Sequence, residues 1–113
     1  MNIMVIQYSN DPKRASEFYQ SLGFEFSADR SDARWWEHQG GGGTIAVHLA
    51  EGEYAAGGHD LWFVSPEPLA TVAARLESKG FSSQVKDEPW GKALWTTDPD
   101  GTTVQVTSSA PGG

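Results

Sequence analysis

Phe18-Tyr19-Gln20-Ser21-Leu22-Gly23-Phe24 is the stretch that decides the fold, because its closing Leu-Gly-Phe is answered 57 positions later by Lys79-Gly80-Phe81. In each place a helical apolar pattern stops at a glycine and an aromatic residue opens an extended run. Upstream of the first, Ile3 to Tyr8 is short and free of breakers and runs into Ser9-Asn10-Asp11-Pro12, where Asp11 can cap a helix whose first residue is proline. Ala15, Phe18, Tyr19 and Leu22 then recur at i, i+3, i+4 and i+7, a stripe expected to lie on a sheet. Upstream of the second, His59 to Val64 reads as a strand, Ser65-Pro66 as another cap-plus-proline start, and Leu69, Val72, Ala73 and Leu76 as a matching stripe.

Downstream of each glycine come three more strand-like runs. In the first half these are Phe24 to Ser27, Arg34 to His38 and Thr44 to Leu49, and in the second Phe81 to Val85, Ala93 to Thr96 and Thr103 to Val106. Gly40 to Gly43 reads as a hairpin loop, since no helix start or Lys-Ser/Thr pair follows to make it a phosphate cradle. Asp98-Pro99-Asp100-Gly101 is a turn in which proline presets one φ and glycine supplies a positive one. A single β-α-β-β-β unit cannot bury both faces of its sheet. The expectation is therefore an α+β fold: two paired β-α-β-β-β units forming a cupped eight-stranded mixed sheet with two helices on the outer face. One domain covers residues 1–107, with repeat halves 2–50 and 58–107, a linker at 51–57 and a flexible tail at 108–113.

Composition removes several function classes. Fifteen acidic against eight basic residues give a formal charge of −7, which disfavours nucleic acid and anionic lipid as partners and mildly favours cationic ligands. The absence of cysteine excludes disulfides, thiolate metal sites and a cysteine nucleophile. No apolar run approaches the roughly 18 residues of a membrane span, and Met1 to Ser9 lacks the basic start of a signal peptide, so a cytoplasmic location is expected.

Asp11, Phe18-Tyr19, Leu22-Gly23-Phe24 and the closing Asp98-Pro99-Asp100-Gly101 resemble the vicinal oxygen chelate superfamily, which includes glyoxalase I, extradiol dioxygenases, fosfomycin resistance enzymes and bleomycin resistance proteins. The resemblance spans nearly the whole chain, and its motifs lie at turns and helix packing positions, so they speak for fold more than for function. In metal-dependent members four side chains project into the cupped sheet. The resemblance carries those positions onto Met4, His48, His59 and Gln105. No carboxylate stands at the His48 or Gln105 position, so no metal cofactor is expected; the alternative is a divalent ion held by His48, His59 and Gln105 in a lyase, thiol transferase or dioxygenase. Either histidine could also serve as a polar contact in a wet cleft or as a general base, although no nucleophile or orienting partner is visible.

Glu88-Pro89-Trp90-Gly91, followed by a basic residue, is similar to the loop before the same turn in bleomycin resistance proteins. Those are dimeric binders rather than enzymes, which implies a homodimer and a small-molecule ligand. Five tryptophans supply flat faces on which planar rings stack for roughly 1 kcal/mol each beyond area burial. Trp35 and Trp36 are adjacent in a strand, so at most one faces a cleft. Trp90 in its loop either contacts ligand or anchors the loop; Trp95 lies in a strand, and alternation does not place Trp62 between Leu61 and Phe63. The reading is non-catalytic binding or sequestration of a small, partly aromatic compound such as an antibiotic, with cationic compounds favoured. Trp35, Trp36, His48, His59, Trp90, Trp95 and Gln105 are the candidate ligand-binding residues, and Glu37, Asp87 and Glu88 the nearby carboxylates. A regulatory module with a closed cleft is a third possibility.

Overall fold

The computed structural model describes residues Met1–Pro111. Eight strands and two α-helices make an α+β fold, and the chain divides into two compact units, Met4–Asp60 and a second formed by Met1–Ile3 with Leu61 onward. In chain order the elements are β1 (Asn2–Ser9), α1 (Pro12–Ser21), β2 (Glu25–Phe26), a 3-10 turn (Ala28–Arg30), β3 (Trp35–Gln39), β4 (Thr44–Leu49), β5 (His59–Ser65), α2 (Leu69–Ser78), β6 (Ser83–Glu88), β7 (Gly91–Thr97) and β8 (Thr103–Ser108).

The first unit orders its strands β2-β3-β4-β1, and the second orders its own β5-β8-β7-β6. In both, the first strand pairs in parallel with the last, Tyr8 opposite His48 and Trp62 opposite Gln105, while the remaining pairs are antiparallel. A parallel pair needs a crossover, which the helix and the two intervening strands supply. The repeat read from sequence is thus a repeat of topology.

Its chemical basis lies at the two helix ends. Gly23 takes φ 108° and Gly80 φ 85°, the left-handed region that a side chain resists. That conformation turns the Phe24 N–H back to the Tyr19 carbonyl at 3.3 Å and the Phe81 N–H back to the Leu76 carbonyl at 3.0 Å. Each helix therefore ends in the same six-residue cap, its orphan carbonyls satisfied and an aromatic residue held at the start of the next run. The Asp98 turn is equally well determined: its Oδ1 accepts from the N–H groups of Asp100 and Thr102, both at 2.9 Å, and Gly101 has φ 91°.

The two helices bury different chemistry. On the second unit's sheet, Leu69, Val72, Leu94 and Val106 form a closed cluster with Phe63, Ala73, Leu76 and Val104 packed around it. The stripe expected for α2 is the one that packs, each large aliphatic contributing on the order of 2 kcal/mol. Helix α1 departs from its expected stripe. Phe18 is 59% exposed and Leu22 64%, whereas Ser16 is completely buried. The reason is polar. His38 Nδ1–H donates to the Ile45 carbonyl at 3.1 Å, so its Nε2 accepts from the Ser16 hydroxyl at 2.6 Å, and Gln20 Nε2 donates to Ser16 Oγ at 3.0 Å. A buried imidazole without a partner is costlier than two exposed apolar side chains, so α1 turns Ala15, Ser16 and Tyr19 inward.

The start of α2 is a second correction. Asp11 caps α1 as expected, accepting from the Arg14 N–H at 3.1 Å, but α2 begins at Leu69 after Pro68 and has no side-chain cap. Ser65 is fully buried, and its hydroxyl instead accepts from the Glu67 N–H at 3.0 Å, closing a turn before the helix. At the other terminus β8 extends through Ser108, and the Ser109 N–H donates to the Ser65 carbonyl at 2.9 Å, so the first residues of the expected tail belong to the sheet. Its last two residues lie outside the described residues. Among the described residues no helix is long and apolar enough to cross a membrane.

Candidate functional site

Alternation along a strand and pairing across strands assign every side chain to a face. In the second unit, Phe63, Val104, Val106 and Leu94 take the face covered by α2. The opposite face must then carry their neighbours, and the register Trp62↔Gln105↔Trp95↔Gln84 sets these four side by side across β5, β8, β7 and β6. With strands about 4.8 Å apart, Trp62 and Trp95 stand roughly 10 Å from one another with Gln105 between them.

Both indoles are pinned by their N–H groups. Trp62 Nε1 donates to Thr107 Oγ1 at 2.9 Å, and Trp95 Nε1 donates to Glu88 Oε1 at 3.1 Å. Glu88 ends β6 and Gly91 begins β7, so Pro89-Trp90 is the two-residue tip of a hairpin, and Gly91 with φ 143° lets the chain return. That tip lays the Trp90 ring against Trp62 at 5.3 Å between centroids, tilted by 39°, and leaves Trp90 55% exposed. One part of the Trp90 ring packs against Trp62 and the rest faces outward.

The first unit carries a second aromatic group. Trp35, His48 and Tyr8 are opposite one another on β3, β4 and β1, hence on one face. The rings of Tyr8 and His48 lie 5.4 Å apart, Trp35 meets His48 edge-on at 5.9 Å, and Tyr54 from the linker stacks on Tyr8 at 4.8 Å. Trp36 takes the other face, against Phe26 at 5.3 Å, and its Nε1 is buried without a hydrogen-bond partner among the described residues. The register thus answers which member of the Trp35-Trp36 pair shares a face with His48. Glu37 is buried on that same face, accepting from Trp35 Nε1 at 3.1 Å and Gln39 Nε2 at 2.8 Å, with Arg30 at 3.6 Å.

The histidines part company. His48 Nδ1–H donates to the Leu49 carbonyl at 2.8 Å, which leaves the Nε2 lone pair as its accepting atom. His59 is exposed at the first residue of β5, and it is its neighbour Asp60 that engages the aromatic group, accepting from the Tyr8 hydroxyl at 2.6 Å. Burial, together with the bond to Asp60, holds the Tyr8 hydroxyl protonated far above the usual phenol range. Asp60, Tyr8 and Tyr54 were not singled out from sequence. Their signal was the aromatic at the end of β1 and the acid beside His59, which only a register can connect.

Among the described residues no three His, Asp or Glu side chains gather into a set able to hold a divalent metal. A borderline ion wants three or four such donors.

A family model described as Glyoxalase/Bleomycin resistance protein/Dioxygenase superfamily matches residues 3–106. Among solved structures, one described as an NAD-dependent benzaldehyde dehydrogenase from Legionella pneumophila shares 20% identity over 94% of this chain and 97% of its own, with a TM-score of 0.67. A glyoxalase/bleomycin resistance protein/dioxygenase superfamily member from Vibrio splendidus 12B01 shares 16% identity over 96% of this chain and 98% of its own, with a TM-score of 0.63. At such identities the likeness is one of fold. No curated protein matches the sequence.

Proposed function

The chain belongs to the Glyoxalase/Bleomycin resistance protein/Dioxygenase superfamily, and from that premise we propose that it binds, without transforming it, a small planar compound, partly aromatic and preferably cationic, of the kind that includes many antibiotics. One observation carries the reading: Trp62, Gln105 and Trp95 share a face of one unit, and Trp90 packs against Trp62, tilted, with more than half of itself exposed.

Indoles held by hydrogen bonds lose little entropy when a ring stacks on them, and each stacked pair adds about 1 kcal/mol beyond buried area. Gln105 supplies an amide donor and acceptor between the two walls, which orients a heteroatom of the ligand. Glu88, bonded to Trp95, places a carboxylate on the same face, and the net charge of −7 attracts cations from a distance. A bound cation gains further from the faces of Trp62 and Trp90. In the first unit, Trp35, His48 and Asp60 supply polar and aromatic contacts of the same kind. The proposal includes a homodimer in the cytoplasm; sedimentation of the purified protein checks the former and cell fractionation the latter.

The experiment is a tryptophan fluorescence titration with proflavine, a planar cation, beside 1-naphthol, planar and neutral, and tetramethylammonium, cationic without rings. Saturable quenching by proflavine, weaker quenching by 1-naphthol and none by tetramethylammonium is the expected order. Absence of saturable quenching by either planar compound up to high micromolar concentration overturns the proposal.

A further inference from the structure

A groove of about 570 Å³ runs along the β6–β7 edge of the second unit, and its lining differs in kind from the rest of the surface. Ser83, Gln84, Lys86, Trp95, Thr97 and Thr103 border it. No carboxylate does, although the chain carries fifteen acidic residues against eight basic ones. Its one charged group is the Lys86 ammonium, held 5.4 Å from the centroid of the Trp95 ring. None of the ion pairs among the described residues involves Lys86.

Each lining group has a chemical preference. An ammonium lying near an indole face is a positive charge whose natural counterpart is an anion. The hydroxyls of Ser83, Thr97 and Thr103 make no hydrogen bond to protein among the described residues, whereas that of Thr96 donates to the Ser82 carbonyl at 2.8 Å. The Thr97 and Thr103 hydroxyls, on the face of Trp95, join the Gln84 amide in a mixed array of donors and acceptors, the pattern that suits a ligand bearing several hydroxyls of its own. The rim of the Trp95 indole gives such a ligand an apolar ring to lie along. A cation would meet Lys86 repulsion here, and a wholly apolar ligand would strand the hydroxyls.

We propose that this groove is a binding site for a monosaccharide-sized anionic polyol, a sugar acid or sugar phosphate, whose anion pairs with Lys86 while its hydroxyls meet Gln84, Thr97 and Thr103. The site goes beyond the planar-cation reading and is opposite to it in charge; Trp95 borders both. Lys86 and Gln84 rise from alternate positions of β6 on the face of Trp95, and Thr97 and Thr103 close the end of the β7–β8 hairpin, so strands rather than loops set the spacing of most contacts.

The test follows the indole N–H resonances of the ¹⁵N-labelled protein, that of Trp95 assigned through Trp95→Phe, during titration with glucuronate, glucose 6-phosphate, glucose and inorganic phosphate. Glucuronate or glucose 6-phosphate shifts the Trp95 resonance saturably in the millimolar range or tighter, and the stronger of the two identifies the anion. Lys86→Gln weakens that binding about tenfold, the loss of one charge-assisted hydrogen bond, and Lys86→Arg keeps most of it. Proflavine binding by Lys86→Gln is undiminished, so failure of this proposal and failure of the planar-cation reading are separable. Glucose binding as tightly as glucuronate and glucose 6-phosphate overturns the anion requirement, inorganic phosphate binding as tightly overturns the polyol requirement, and no saturable shift with any of the four at 10 mM overturns the site.

Discussion

Trp90→Ala separates a ligand-facing indole from one that only anchors a turn. The ring is 55% exposed, and a tryptophan side chain has roughly 200 Å² to bury, so about 100 Å² remains for a ligand to cover. At about 25 cal/mol per Å², covering half to all of that surface contributes on the order of 1.2–2.5 kcal/mol, and stacking geometry about 1 kcal/mol more. Ordering the ligand offsets part of this, so a net loss near 2 kcal/mol, about thirtyfold in Kd, is the expected effect on a planar ligand. The contact with Trp62 at 5.3 Å accounts for about 1 kcal/mol of stability at most, a Tm decrease of roughly 4–8 °C in a domain of this size. Calorimetric titration with proflavine at 25 °C, far below the melting transition, reads the first quantity without interference from the second. Trp36→Phe is the companion variant, because Trp36 lies on the α1 side of the first unit with its N–H unpaired among the described residues, and the affinity of that variant stays within twofold of the parent. If Trp90→Ala binds proflavine as the parent does, the exposed indole is only an anchor and the argument from its exposure fails.

Three further outcomes follow from the geometry. Gly23→Ala and Gly80→Ala each destabilise by about 1–2 kcal/mol, because φ 108° and 85° are left-handed while nothing within 4 Å obstructs a Cβ; urea unfolding measures the loss, and equal stability would mean that the caps do not need glycine. The raised ionisation of Tyr8 stabilises the fold fully below the unfolded tyrosine range near pH 10 and is progressively lost above it, since the unfolded chain then ionises and the folded site does not; spectrophotometric titration shows one of the three tyrosines ionising only with unfolding, and Tyr8→Phe removes that late step. Ser16→Ala strands the buried His38 Nε2 and lowers stability by about 1–3 kcal/mol, measured as a shift in urea midpoint; a shift smaller than that of an exposed control such as Ser21→Ala would refute the account of why α1 turns as it does.

Helix ends, turns and strand periods were legible in the sequence because they rest on local chemistry. A glycine relieved of side-chain strain closes both helices, an Asx turn with proline and glycine joins β7 to β8, and the spacing of 57 between the two Gly-Phe junctions reproduces itself as identical strand orders. The same local rules mistook the start of α2, where Ser65 serves the turn and leaves Pro68 at the helix boundary. They also mistook the stripe of α1. Periodicity counts apolar residues, and it has no means of seeing that His38, two strands further on, would demand a hydroxyl from Ser16.

Site residues divide along the same line. Length, charge, the lack of cysteine and the supply of tryptophan are properties of the chain itself, and they already described a small acidic domain rich in indole faces. Register is different, because a shift of one residue exchanges the two faces of a strand. Only the pairing of β3 with β4 sends Trp35 to His48 and Trp36 to Phe26, only the pairing of β5, β8 and β7 sets Trp62 beside Gln105 and Trp95, and only the fold of the linker brings Tyr54 onto Tyr8 and Asp60 to its hydroxyl. Backbone conformation answers to neighbours in the chain; the company a side chain keeps answers to hydrogen-bonded strands that sequence distance does not connect.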